Sequence, residues 1–168
     1  MKLKIAIDKT SLKRIQKTFS SYSDKVLQPI REANEKSSRQ LVIAARKNLK
    51  INGTDDTGRL RASLMTLDTE LRGLIYNVGT DVDYSLAVEE GAGSGKLSNE
   101  EVKDLGGWVK RKLGVTGEAL PFVLHAVASK IELEGTDAQP FLLPAAVETR
   151  ANHVRNMKQA IRTFNDRL

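Results

Sequence analysis

Between Asp24 and Leu49 the apolar and small residues fall at three- and four-residue intervals: Val26, Ile30, Ala33, Ser37, Leu41, Ala44 and Asn48. That spacing predicts one long helix, with Asp24 as its N-cap and a narrow buried stripe of mostly small side chains. Pro29 lies early enough to bring a kink or a later start rather than a break. A stripe of small residues calls for close approach by a sheet or another helix, so the rest of the chain must supply that partner.

Two strands are the first candidates. After a polar turn from Ile51 to Gly58, Leu60 to Leu67 and Leu71 to Val78 read as a hairpin joined at Asp68-Thr69-Glu70 and closed by Gly79. Apolar residues stand on both faces of the second strand (Leu71 and Ile75 against Leu74, Tyr76 and Val78), which predicts a sheet covered at least partly on both sides. A hairpin alone is not stable, so helices must cover it. Lys2 to Asp8 alternates and predicts a short strand, and Leu12, Ile15 and Phe19 predict a helix ending in the polar stretch Ser20-Ser21-Tyr22-Ser23.

The second half is helical by pattern. Asp83 is a candidate cap for a short helix from Tyr84 to Glu90, before the glycine-rich loop EGAGSGKLS. Ser98 and Glu101 have capping-box spacing, and Val102, Leu105, Trp108 and Val109 continue a helix that Gly114 stops. Leu120, Val123, Leu124, Val127 and Ile131 predict another, ending near Glu134-Gly135. A last helix is expected from about Pro144, with an apolar seam of Val147, Ala151, Val154, Met157, Ile161, Phe164 and Leu168. The expected fold is a single α+β domain over residues 1–168: a small, mostly antiparallel sheet built around a β-hairpin, covered by a long N-terminal helix and several C-terminal helices. Whether the N-terminal segment, residues 1–23, docks in its own subunit or in a neighbour's is left open by the pattern.

At 168 residues such a domain buries roughly 70% of its unfolded surface and needs no covalent staple. The chain has no cysteine, which leaves no thiol nucleophile or Cys-based zinc site. His125 and His153 have no third ligand at metal spacing, so both are expected at solvated helix positions. No signal-peptide core and no apolar run of membrane-spanning length is present, so a soluble protein is expected. The net charge of +6 is uneven: +9 over residues 1–53, −4 over 54–118 and +1 over 119–168. Such asymmetry suits an acidic partner, either nucleic acid or an acidic protein surface.

Three motifs invite a catalytic or binding reading and fail on their neighbours. Asp56-Thr57-Gly58 matches the aspartic-protease tripeptide, but its approach, Asn52 to Asp55, is polar. Arg59 also follows the glycine, and a nearby cation keeps a carboxylate ionised when that chemistry needs a shared proton. Glu90 to Leu97 resembles a phosphate loop with Glu90 in place of its first glycine and Leu97 in place of its hydroxyl. Asp81-Val82-Asp83 opens like a calcium loop, but Leu86 and Ala92 stand where the turn glycine and the closing glutamate belong. The residues therefore predict no enzyme, no catalytic set, no cofactor and no metal.

Five segments in order carry a resemblance: Asp56 to Leu64, Val78-Gly79-Thr80, Tyr84 to Gly91, Trp108 to Gly114, and Gly135 to Ala145. Together they resemble the neck and tail-completion proteins of long-tailed bacteriophages and prophages, also called minor tail or head-tail joining proteins, over about residues 24–165. The chain departs from that pattern in its longer, proline-free approach from Lys50 to Asp55.

The resemblance implies a virion protein of the neck, at the top of the tail, made in the host cytoplasm. It would form a homo-oligomeric ring, a hexamer or dodecamer, that joins the head-closure protein to the tail terminator or tail tube protein. Genomic DNA would pass through the channel without sequence-specific binding, and no membrane is involved. Asp56, Thr57 and Gly58 then become a structural turn, and Arg59, Arg61, Glu89 and Glu90 candidate contacts between subunits. Two other readings remain open: a tail-terminator protein of the same junction, and a basic nucleic-acid-binding module using the N-terminal helix.

Overall fold

The computed structural model describes residues 2–3, 9–20, 24–54, 56–70 and 74–166. In chain order the elements are β1 (Lys2–Leu3), α1 (Lys9–Phe19), α2 (Asp24–Ile51), α3 (Arg59–Ser63), β2 (Met65–Glu70), β3 (Ile75–Gly79), α4 (Ser85–Glu90), α5 (Asn99–Leu113), α6 (Ala119–Glu134) and α7 (Leu142–Asn165). The expected α+β architecture is present, with three antiparallel strands in the order β1-β3-β2 packed against long helices. β1 pairs with Gly79 and Val78 of β3 in the same chain; the rest of the expected N-terminal strand, residues 4–8, lies outside the described residues.

The partner demanded by the small-residue stripe of α2 is chiefly α7. The two helices run antiparallel: Asn48 Nδ2 donates to Phe141 O at 3.1 Å near one end, and Asn156 Nδ2 donates to Ser37 Oγ at 3.1 Å further along. The seam between the helices is built of small side chains, Ala33 and Ala44 against Ala145 and Ala160, all buried. Ser37 is buried in this seam, and its hydroxyl satisfies itself by donating to Ala33 O at 2.8 Å. Small faces allow backbone approach, and polar groups inside the contact must be paired to be tolerated. The larger core forms where Leu49 of α2 meets Leu60, Leu64, Val78, Phe141 and Leu142; a smaller one joins Ile30, Ala33 and Ala160 to Leu74, Met157 and Phe164. Pro29 sits inside α2, which runs from Asp24 without a break.

Several expectations are corrected. The first predicted strand, Leu60 to Leu67, is a short helix followed by a strand: Gly58, at φ 77°, turns the chain into α3, and β2 begins only at Met65. The reason is in the four-residue interval between Leu60 and Leu64, which one helical turn places together in the core where both are buried. Arg46 then donates to Leu64 O at 2.8 Å, satisfying a carbonyl at the end of that turn. The expected connection Asp68-Thr69-Glu70 belongs to β2, which pairs Thr69 with Tyr76 and Glu70 with Ile75 after an irregularity that begins beyond Thr66. The second strand starts at Ile75, and residues 71–73 lie outside the described residues. Asp83 does not cap α4, whose N-cap is Tyr84 with no side-chain bond.

The seam predicted for α7 is also displaced. Val147, Val154 and Ile161 are exposed, while the buried line is Leu142, Ala145 and Ala160, with Met157 and Phe164 at its edge. Leu168, the last residue of that predicted seam, lies outside the described residues. Against a helix of small residues, the closest approach selects alanines rather than the bulkier side chains. α7 starts at Leu142, two residues before Pro144, which occupies the first turn where a missing N–H costs nothing.

α5 and α6 form a helical hairpin that packs chiefly on itself. The capping box forms as expected, with Ser98 N–H donating to Glu101 Oε2 at 2.7 Å and Glu101 N–H to Ser98 Oγ at 3.2 Å. The hairpin is fastened at its C-terminal end by an antiparallel bridge between Ala92 and Thr136, where Thr136 N–H donates to Ala92 O at 2.8 Å. Gly135 ends α6 at φ 78°, ψ −156°, a conformation open to glycine alone, and a Cβ there would drive into Ala92 O. Gly135→Ala is therefore expected to lower stability by at least about 2 kcal/mol, read as a lower urea midpoint with an unchanged m-value.

Candidate functional site

The described surface around the resembling segments is organised by two carboxylates. Glu89 lies on α4 one turn after Ser85, and this face is turned inward, with Ser85 0% and Glu89 5% exposed. A carboxylate at such depth requires strong donors. It has three: Glu89 Oε2 accepts the N–H groups of Phe141 at 2.8 Å and Leu142 at 2.9 Å, and Oε1 accepts that of Leu143 at 2.8 Å. These amides open α7 and have no partner within the helix, and a negative charge there complements the helix dipole. Gln139 N–H donates to Val88 O at 2.7 Å beside the clamp. The resemblance puts Glu89 at a subunit boundary; its burial and these three bonds make it an internal clamp instead. Glu90, one residue on, is exposed.

Asp56 forms the second centre. Arg111 of α5 lies across its carboxylate: Nε donates to both oxygens at 3.1 Å and Nη2 to Oδ2 at 2.5 Å. The hydrogen bond from Arg111 holds the Asp56 carboxyl below its ordinary value of 3.8, against a partial desolvation that pushes it up, and Coulomb attraction to Arg111 and Lys112 adds to the lowering. The same contact raises Arg111. Sequence reasoning places a cation beside Asp56 but selects Arg59, the near neighbour; Arg59 and Arg61 are exposed on α3. Lys112 adds a bond to Gly53 O at 3.4 Å. Asp56, Thr57 and Gly58 form the bend between α2 and α3, where Thr57 Oγ1 accepts Arg59 N–H at 3.4 Å.

The five resembling segments thus meet in space. Asp56 to Leu64 touches Trp108 to Gly114 through the Asp56–Arg111 pair, and touches Val78 to Thr80 through Ser63 and Thr80, whose hydroxyls are 2.5 Å apart. Tyr84 to Gly91 and Gly135 to Ala145 are joined by Glu89. No local pattern marks these partnerships, since Glu89 and Asp56 find their partners 52 and 55 residues away.

Beside the Asp56 corner, Arg46, Lys47, Lys50 and Arg61 line one open concavity of 590 Å³ with Gly58 and Ala62. Arg46 is bonded to Leu64 O, and Lys47 lies 4.0 Å from Glu148. The cations lining the groove can attract an anion. His125 and His153 are exposed on α6 and α7, and no group of His, Cys, Asp and Glu suited to a metal occurs among the described residues. Among the same residues no helix is long and apolar enough to cross a membrane. Compared with protein-family models, curated proteins and solved structures, the chain finds no match.

Replacing Glu89 by alanine should cost about 3 kcal/mol, because buried amides lose a charged acceptor; Glu89→Gln should recover only part of it, since its amide nitrogen is a donor set among donors. Chemical denaturation of the three proteins checks this, and equal stabilities would contradict it. The Asp56 contribution should depend on pH. A carboxyl lowered in the folded state stabilises above its unfolded value and ceases to do so as pH falls through the folded one. The stability gap between wild type and Asp56→Asn should accordingly be constant from neutral pH to about 4 and close below it.

Proposed function

We propose that this chain is a structural protein of the phage head-tail junction, a neck ring that joins the head-closure ring to the tail. The observation that supports this reading most is the use made of the charged residues in the five resembling segments. Asp56, the acid the protease-like tripeptide singles out, and the buried Glu89 are both engaged in holding helices: Glu89 caps α7 and Asp56 anchors α5. A protein whose best-placed carboxylates are fasteners suits assembly better than chemistry. Arg59, Arg61 and Glu90 stand exposed, on surface that a neighbouring subunit could reach.

A second reading is favoured by the four cations around the groove: a nucleic-acid-binding module, whose affinity would fall steeply with salt as counterions return to the phosphates. Deleting the gene from the phage or prophage that encodes it separates the two. The neck reading expects DNA-filled heads and finished tails that accumulate unjoined, restored to virions by the purified protein. Intact virions in the mutant lysate, or heads arrested before packaging, would count against it.

A further inference from the structure

α6 is apolar on nearly every side. Leu124, Val127, Ala128 and Ile131 lie on the side of α5, which covers them at least in part. A second stripe runs through Ala119, Phe122, Ala126, Ser129 and Leu133, at alternating intervals of three and four residues, the spacing of a helix-packing seam. Ser129 is its one polar member, and its side chain is small enough to let a neighbouring helix approach. Phe122 and Leu133 are each 78% exposed, the highest values among the large apolar side chains of the described residues. A helix with apolar residues on most sides belongs in an interior, so this second face calls for a cover.

A surface of this chain has the matching form. The outer side of α7 carries Leu143, Val147, Val154 and Ile161, all exposed, the last three at seven-residue intervals. Val147, Val154 and Ile161 belong to the expected apolar seam and are left outside by the alanine contact with α2, whereas Met157 and Phe164 of that seam pack on the smaller core. The charges around the two stripes are opposite. α7 bears Arg150, Arg155, Lys158 and Arg162 against Glu148 alone, while around the α6 stripe Glu118 and Glu134 are exposed, Glu134 lies 3.9 Å from Lys130, and the half-buried Glu132 accepts Leu97 N–H, which leaves that side net acidic. Two copies of α7 would repel; α7 against α6 would attract.

We infer that the outer face of α6 docks on the outer face of α7 in a second copy of the same chain. Because the two faces differ, the contact is heterologous: each copy offers one face forward and the other back, and repetition closes a ring if the rotation allows. This rests on the neck-ring reading and names the surfaces such a ring would use.

The test uses two full-length variants. One carries Phe122→Asp and Leu133→Asp, the other Val147→Asp and Val154→Asp; all four sites are exposed, and thermal melts confirm that each variant folds. By sedimentation velocity the wild type should associate, and each variant alone should associate more than about tenfold more weakly. An equimolar mixture should give a one-to-one dimer that grows no further, since one intact α6 face and one intact α7 face remain. A mixture that stays monomeric, or assembly lost in only one variant, would overturn the inference. So would assembly unchanged in both variants, and that result leaves the ring reading standing on other surfaces. A wild type that is monomeric at every concentration would overturn the inference and remove self-assembly from the functional reading as well.

Discussion

The clamp of Glu89 on the first amides of α7 is the contact on which the rest of the fold depends. α7 supplies the second wall of the α2 groove, and its start, Phe141 and Leu142, fills the larger core where both are fully buried. Those two residues can enter the core only if their N–H groups, which no helical carbonyl can reach, are satisfied there. A carboxylate reaching in from α4 does this and carries the negative charge that a helix N-terminus favours. The burial of Glu89 and that of Phe141 are thus mutually dependent. Water could satisfy neither without opening the core.

From that point the architecture follows in steps. With α7 held in place, its alanine line meets the small stripe of α2, and the bulkier Val147, Val154 and Ile161 are turned outward. The chain entering α7 is fixed in turn by the Ala92–Thr136 bridge, which ends the α5–α6 hairpin at Gly135. Asp56 holds the same hairpin from the other side through Arg111. One face of α6 remains uncovered, as does the outer side of α7, and under the proposed ring these are the two faces that would meet between copies.

Features written in local chemistry are legible in the sequence. The three-four spacing of α2, the capping box at Ser98 and Glu101, and the stops at Gly114 and Gly135 each depend on residues within a turn or two of one another. What escapes is non-local. The stretch from Leu60 to Leu67 passes for a strand, and only the core that Leu60 and Leu64 enter selects the helical turn. A seam drawn through the largest side chains of α7 catches Met157 and Phe164 but misses Leu142, Ala145 and Ala160, because packing on a small-residue helix favours the alanines. Glu89 passes for a surface charge because its acceptor role requires amides 52 residues away. The pairing of Ser85 with Glu89 on one inward face becomes informative only once that face is known to be covered.

Native-state hydrogen exchange at the amides of Phe141, Leu142 and Leu143 tests the central claim most directly. If the Glu89 clamp holds the fold together, these amides open only with the whole molecule, and their exchange free energies equal that of global unfolding. Exchange at the rate of a fraying helix end, while the amides of α2 stay protected, would contradict it.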